Sequence, residues 1–210
     1  MEEARARSAS DALELLDWRR RVFGVYEEIR TSDDPRAAWD RWREVRRELI
    51  VGHPQSPIRD PGERSTFAGP AYFDYDQGAR VLADVEPSHP ERRVIEGSAD
   101  GRFDMTRFGT ARFELHGQAQ ALGLYWIEVY GGGVFLSFRD RTSGRETYGA
   151  GRYLLDTVKG ADLGAEGGRL VLDFNFAYQP SCSYDPLWVC PLAPPENRLA
   201  VEVRAGERTP

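Results

Sequence analysis

A chain of 210 residues with 40% hydrophobic and 11% aromatic content carries enough apolar surface for a packed core, which excludes a disordered or fibrous protein. A net charge of −6 without a basic stripe argues against nucleic-acid binding, and no apolar run approaches the ~18 residues of a membrane span. The start, Met1-Glu2-Glu3-Ala4-Arg5, lacks the apolar stretch of a signal peptide, so a cytoplasmic protein is expected, with no membrane partner.

The first fifty residues are rich in acids and arginines in near balance and read as two helices. In the first, Leu15, Leu16, Val22, Phe23, Tyr26 and Ile29 recur at three- and four-residue steps, the stripe of an amphipathic helix. Ser8 or Ser10 suits its N-cap, with Asp11 placed to complete a capping box with Ser8. The second starts at Asp34-Pro35, since aspartate caps the free N–H groups and proline at the first helical position gives up no hydrogen bond. Trp39, Trp42 or Val45, and Leu49 face inward, and Gly52, Pro54 and Pro57 end it near residue 50. Residues 1–52 thus form a helical arm packed on a main domain of residues 53–210.

From Phe67 onward, short alternating runs are broken by glycine. Segments 71–75, 80–85, 92–96, 102–108, 110–116, 121–130, 134–140, 147–155, 169–176 and 198–204 read as strands. Gly131-Gly132-Gly133 and Thr142-Ser143-Gly144 supply turn residues that tolerate positive φ. About ten short strands at hairpin spacing predict a mainly β fold, an antiparallel barrel or closed sandwich preceded by the two helices. Gln179 to Pro195 carries five prolines and no periodicity, and is expected to cross the domain as an irregular segment.

The C-terminal half carries a recognisable succession of motifs. Phe138-Arg139-Asp140-Arg141-Thr142-Ser143-Gly144 leads into Thr147-Tyr148-Gly149-Ala150-Gly151-Arg152-Tyr153. Leu172-Asp173-Phe174-Asn175, Ala177-Tyr178-Gln179-Pro180, Cys182, Tyr184, Cys190-Pro191-Leu192 and Pro195-Glu196-Asn197-Arg198-Leu199 follow. With His53-Pro54-Gln55-Ser56-Pro57 and Phe67-Ala68-Gly69 upstream, the succession resembles the prokaryotic family catalogued as domain of unknown function 1684. The likeness spans roughly residues 50–207, with Gln179 where the family usually carries asparagine. It implies no activity, so function has to be read from the residues.

The period-2 rule places Asp173 and Asn175 on one face of the segment 169–176, and Tyr148 and Arg152 on one face of 147–155. If these two segments form a hairpin turning between Asp162 and Leu163, Arg152 stands opposite Asp173, with Cβ atoms about 4.5–5.5 Å apart. Such a face is either a cross-strand ion pair holding the sheet or a polar site. In the functional version Arg152 holds an anionic group and Asp173 orients it or moves a proton, with Asn175, Tyr148 and Tyr178 lining the pocket. His53, fixed between the second helix and Pro54, and Asn197 join as further candidates, His53 as a second acid/base group. Cys182 and Cys190 stand too far apart for a zinc knuckle and no histidine pair completes a site, so no metal or cofactor is expected. In a reducing compartment both thiols stay free.

The sequence therefore points to a small-molecule-binding β protein with a polar pocket, extending to metal-independent acid/base chemistry, hydrolysis or elimination, on an anionic small molecule. Two alternatives stand beside it: a non-catalytic module that binds a partner protein through its helices, favoured if Trp18, Trp39 and Trp42 lie exposed, and a flavin-binding split barrel. A homodimer is left open.

Overall fold

The structure, a computed structural model, describes residues 8–209. Helix α1 (Ala9–Thr31) opens on the expected capping box of Ser8 and Asp11. Helix α2 (Pro35–Gly52) starts where Asp34 accepts from the N–H groups of Arg36 and Ala37, with Pro35 in the first turn. Trp39, Trp42, Val45 and Leu49 of α2 are buried as predicted. The α1 stripe is rotated from the expected one: Val25 and Tyr26 are buried, with Trp18, Val22 and Ile29 packed against the core, while Leu16 and Phe23 face out. A short helix α3 (Pro61–Thr66), which the hydrophobic pattern did not announce, is capped by Asp60.

Nine strands follow among the described residues: β1 (Ala71–Tyr72), β2 (Arg80–Glu96), β3 (Arg102–Leu115), β4 (Gln118–Ile127), β5 (Gly133–Phe138), β6 (Arg152–Asp156), β7 (Ala165–Glu166), β8 (Arg169–Asp173) and β9 (Glu207–Arg208). Seven make an antiparallel sheet in the order β6-β5-β4-β3-β2-β8-β7, and β1 pairs with β9 in a two-stranded sheet. No helix longer than one turn interrupts residues 71–176. The long β2 replaces two predicted strands, passing the prolines at 87 and 90 through an irregularity in its pairing with β3. Its first four residues pair with β8 instead. Gly132, at φ +59°, makes the predicted turn between β4 and β5.

Two predicted strands are corrected. Residues 147–151 form a turn that ends at Gly151, φ +103°, where a Cβ would meet the Phe138 carbonyl at 2.6 Å, so β6 begins only at Arg152. Residues 198–204 form no strand of the sheet. They run beside Arg139 and Arg141, with N–H···O bonds to Asn197 and Val201 carbonyls and from Leu199 back to Arg139. The proline-rich segment after Gln179 is irregular as expected, with one 3-10 turn at Ser181–Ser183.

The helical arm packs on the sheet rather than standing free. Trp39 Nε1 donates to the Asn175 carbonyl at 2.9 Å, Trp42 stacks edge-on against Phe176, and Arg30 reaches the Asp162 carbonyl. Trp39 and Trp42 are buried and Trp18 is partly buried, so the exposed tryptophan patch that would have marked a docking module is not formed.

Candidate functional site

The predicted hairpin does not exist, and Arg152 does not face Asp173. Strand β6 lies at one edge of the sheet beside β5, whereas β8 lies beside β2, with Arg80 opposite Asp173. Arg152 is 1% exposed, and its guanidinium is consumed by the protein. Nη2 donates to Asp140 Oδ2 at 2.7 Å and to the Val203 carbonyl at 2.8 Å, and Nη1 donates to the carbonyls of Ala205 and Glu207. Burial pushes its pKa down and Asp140 opposes the shift. The group is the clasp that holds residues 203–207 against β6.

The Asn197 amide is likewise taken up by the main chain. Its Oδ1 accepts from Gly123 N at 2.7 Å, and Nδ2 donates to the carbonyls of Gly123 and Ser137. Asp173 and Asn175 do meet, but through a cap rather than a shared strand face. Strand β8 ends at Asp173, and Phe174–Phe176 is a 3-10 turn. Asp173 Oδ1 accepts from Asn175 N at 3.0 Å and Nδ2 at 2.8 Å, and Asn175 also bridges both main-chain groups of Asp76. Desolvation by burial lifts the Asp173 pKa, opposed by the Asn175 hydrogen bonds. The carboxyl borders a cleft with Arg30, Arg80 and Glu166, the last two ion-paired.

His53 sits at the other end of the arm. Its Nδ1 accepts from Gln55 N at 3.0 Å, so Nε2 carries the proton and donates to Asp17 at 3.2 Å, while the ring packs edge-on against Trp18. Asp173 borders Pro35, the first residue of α2, and His53 follows its last, a helix of 18 residues, roughly 27 Å at 1.5 Å per residue. The two cannot act on one substrate. Tyr148 is apart from both, its hydroxyl 3.6 Å from Cys182 Sγ.

Only Tyr178 among the predicted site residues reaches the cavity between the helical arm and the sheet, which holds about 100 Å³ of accessible space. Helix α1 contributes Trp18, Val22, Val25 and Tyr26; α2 contributes Trp42, Val45, Arg46, Leu49 and Ile50. Tyr153, Asp156, Lys159, Tyr178 and Tyr184 close the other side. The cations here already have partners. Arg46 pairs with Glu207, donates to the Gln179 carbonyl and stacks over the Tyr178 ring at 4.7 Å. Burial works against the Arg46 charge, but Glu207 and, beside it, Tyr184 and Tyr72 together outweigh burial and the pKa rises. Lys159 Nζ is 3.5 Å from Asp156 Oδ2.

Tyr26 is different. It is 2% exposed, and no acceptor meets its hydroxyl proton. The Trp42 indole approaches it, but an indole N–H only donates, so the phenolic proton is left without an acceptor. Burial raises the Tyr26 pKa, so the hydroxyl remains a donor. Leaving such a group dry costs about 1–3 kcal/mol. Sequence reading placed Tyr26 in a core stripe, and α2 periodicity placed Trp42 there too. Periodicity finds the inward face of a helix but does not distinguish a filled interior from a cavity.

The sequence profile of a family described as "Protein of unknown function (DUF1684)" matches residues 65–208. The solution NMR structure of an uncharacterized protein of Haloarcula marismortui is similar, at 34% identity and a TM-score of 0.58, covering 83% of this chain and 94% of that one. No curated protein matches the chain.

Proposed function

We propose, from the premise that this chain belongs to the DUF1684 family, that it binds a small molecule in the cavity between the helical arm and the sheet. The observation that carries the reading is the buried Tyr26 hydroxyl, whose proton has no acceptor, on a wall that α1 and α2 build mainly from aromatic and aliphatic side chains. Such a site suits a ligand with a flat apolar body and one hydrogen-bond acceptor. Because Arg46 and Lys159 are each neutralised by a carboxylate, the reading moves from an anionic ligand to a neutral acceptor group. A curled, barrel-like sheet around this cavity belongs to the same reading. Its support is the pair of main-chain hydrogen bonds between Tyr153 of β6 and Tyr178, which follows β8 after one turn. A cytoplasmic location completes the proposal.

Native mass spectrometry of freshly purified protein tests it, with the expectation of a retained molecule of small mass. Tyr26→Phe should lose that molecule while keeping its fold. Retention unchanged in Tyr26→Phe, or no retention together with no binding of planar heteroaromatic probes monitored by tryptophan fluorescence, would sink the reading. A second reading, acid/base chemistry, rests on Asp173, whose carboxyl pKa is lifted beside the cleft of Arg30 and Arg80. Turnover that survives Asp173→Asn would dismiss it.

A further inference from the structure

With 34 acidic against 28 basic residues the chain has carboxylates to spare, yet two arginines that stand side by side share none. Arg139 follows β5, and Arg198 lies on the irregular chain beside it, the two paired in a parallel bridge. Arg139 N donates to the Asn197 carbonyl at 2.8 Å, and Leu199 N donates to the Arg139 carbonyl at 2.8 Å. Bridge partners put their side chains on one face, with the two backbones about 4.7–4.9 Å apart. It is the face away from the clasp, because the next residue, Asp140, turns inward to Arg152. Neither guanidinium has a hydrogen bond or ion pair among the described residues, and Arg139 Nε is buried without an acceptor.

Both arginines line one groove, about 580 Å³ of accessible space between the end of β2 and residues 192–198. The main chain fixes its walls. Leu192 N donates to the Glu96 carbonyl at 2.8 Å, and Asn197 N closes a turn on the Pro194 carbonyl at 2.9 Å. The Asn197 amide, anchored to Gly123 and Ser137, holds the end of that turn and with it the position of Arg198. The stem of Arg139 lies over Gly151, where a Cβ would stand 3.2 Å from its Cγ. Arg93, the third cation of the groove, is paired with Glu91 at 2.8 Å. Of the two carboxylates there, Glu196 accepts from the Tyr125 hydroxyl, and Glu96 pairs with no cation among the described residues.

We propose that this groove binds a small phosphate monoester, its phosphate held between Arg139 and Arg198. Two like charges fixed a strand spacing apart repel each other, and one anion between them replaces that repulsion with two attractions. A carboxylate is met by a single guanidinium fork. A phosphate monoester carries a charge of about −1.5 to −2 and three acceptor oxygens, enough for both arginines. Arg139 Nε, desolvated by the fold, gains the acceptor that the protein does not supply. The carboxylates of Glu96 and Glu196 accept from hydroxyls on the body of the ligand, and they repel a polyanion such as a nucleic-acid strand. The groove shares no lining residue with the cavity under the helical arm, so the two readings stand or fall separately.

The test titrates glycerol phosphate into isotope-labelled protein at low salt and follows the amide NMR shifts, with acetate and glycerol titrated in parallel. The expected result is saturable binding at millimolar concentration or below, with shifts confined to Arg139, Gly151 and residues 192–198. Inorganic phosphate should compete at the same amides, and acetate and glycerol should bind at least tenfold more weakly. Arg139→Gln and Arg198→Gln should each weaken binding at least tenfold. Arg20→Gln, which removes an exposed charge on α1 away from the groove, should leave it unchanged. Arg198 is exposed, so its change decides the matter even if Arg139→Gln does not fold. In ligand-free protein Arg198→Gln should not lower the melting temperature, since it relieves a like-charge pair. Shifts that never saturate, acetate binding as tightly as glycerol phosphate, or affinity unchanged in Arg198→Gln would overturn the proposal.

Discussion

Asp140→Asn should destabilise the protein severely without touching the cavity. The carboxylate is wholly buried and its Oδ2 takes the Arg152 charge at 2.7 Å, while its Oδ1 accepts from the main chain and hydroxyl of Thr142. An amide oxygen still serves Thr142, so what the change removes is the counter-charge of a guanidinium that is 1% exposed. Breaking a buried pair on one side costs about 3–5 kcal/mol, because the remaining ion is left in a dry site. At about 2–4 °C per kcal/mol for a chain of this size, the melting temperature should fall by roughly 6–20 °C. Arg152→Met should lie in the same range, since it orphans the carbonyls of Val203, Ala205 and Glu207 along with Asp140. The double change should cost less than the sum of the two, with a coupling of about 0.5–3 kcal/mol. Urea unfolding at neutral pH measures all three. A single change costing under about 1 kcal/mol would refute the clasp, as would loss of a retained ligand at an unmoved melting temperature.

Asn197→Ala should cost about 2–4 kcal/mol, because it strands a Gly123 N–H and the carbonyls of Gly123 and Ser137 in the interior; thermal unfolding reads it directly. Tyr26→Phe in ligand-free protein should leave the melting temperature unchanged or raise it, since it deletes a buried hydroxyl whose proton has no acceptor; a clear drop would mean that the proton has one. For Asp173 the folded pKa is raised, so its contribution to stability is full at low pH and is lost as pH rises through the folded value. Asp173→Asn, which keeps an acceptor for Asn175, should therefore be neutral or stabilising at pH 7, with the advantage disappearing as the pH falls below about 4; destabilisation at pH 7 would contradict the raised pKa.

The elements that local chemistry specifies were legible in the sequence. Ser8 with Asp11 and Asp34 with Pro35 set the two helix starts, the α2 stripe gave the buried face, and Gly131-Gly132-Gly133 gave the turn between β4 and β5. What failed was long-range pairing. Strands β6 and β8 are consecutive but for the two-residue β7, and adjacency in sequence suggested a hairpin; they stand instead at separated places in the sheet. Nothing in a period-2 pattern states which neighbour a strand takes, and a wrong neighbour displaces every cross-strand pair inferred from it.

The same failure explains why the polar residues expected to share one pocket are found apart, each bonded to other parts of the chain. Arg152 and Asn175 meet main-chain groups of irregular chain, at residues 203–205 and at Asp76, and Asn197, itself on irregular chain, bridges Gly123 and Ser137 where β4 and β5 no longer pair. A crossing segment without strand partners leaves main-chain carbonyls and N–H groups inside the protein, and each has to be met by a side chain. Buried arginine and asparagine meet several such groups at once, so a fold with a long irregular C-terminal course needs them in its interior for stability alone. A binding site leaves the opposite signature, a polar group whose partners the protein does not supply. By that criterion Arg152 is spoken for and Tyr26 is not. The distinction depends on the full set of hydrogen-bond partners around each group, and residue type and spacing do not encode it.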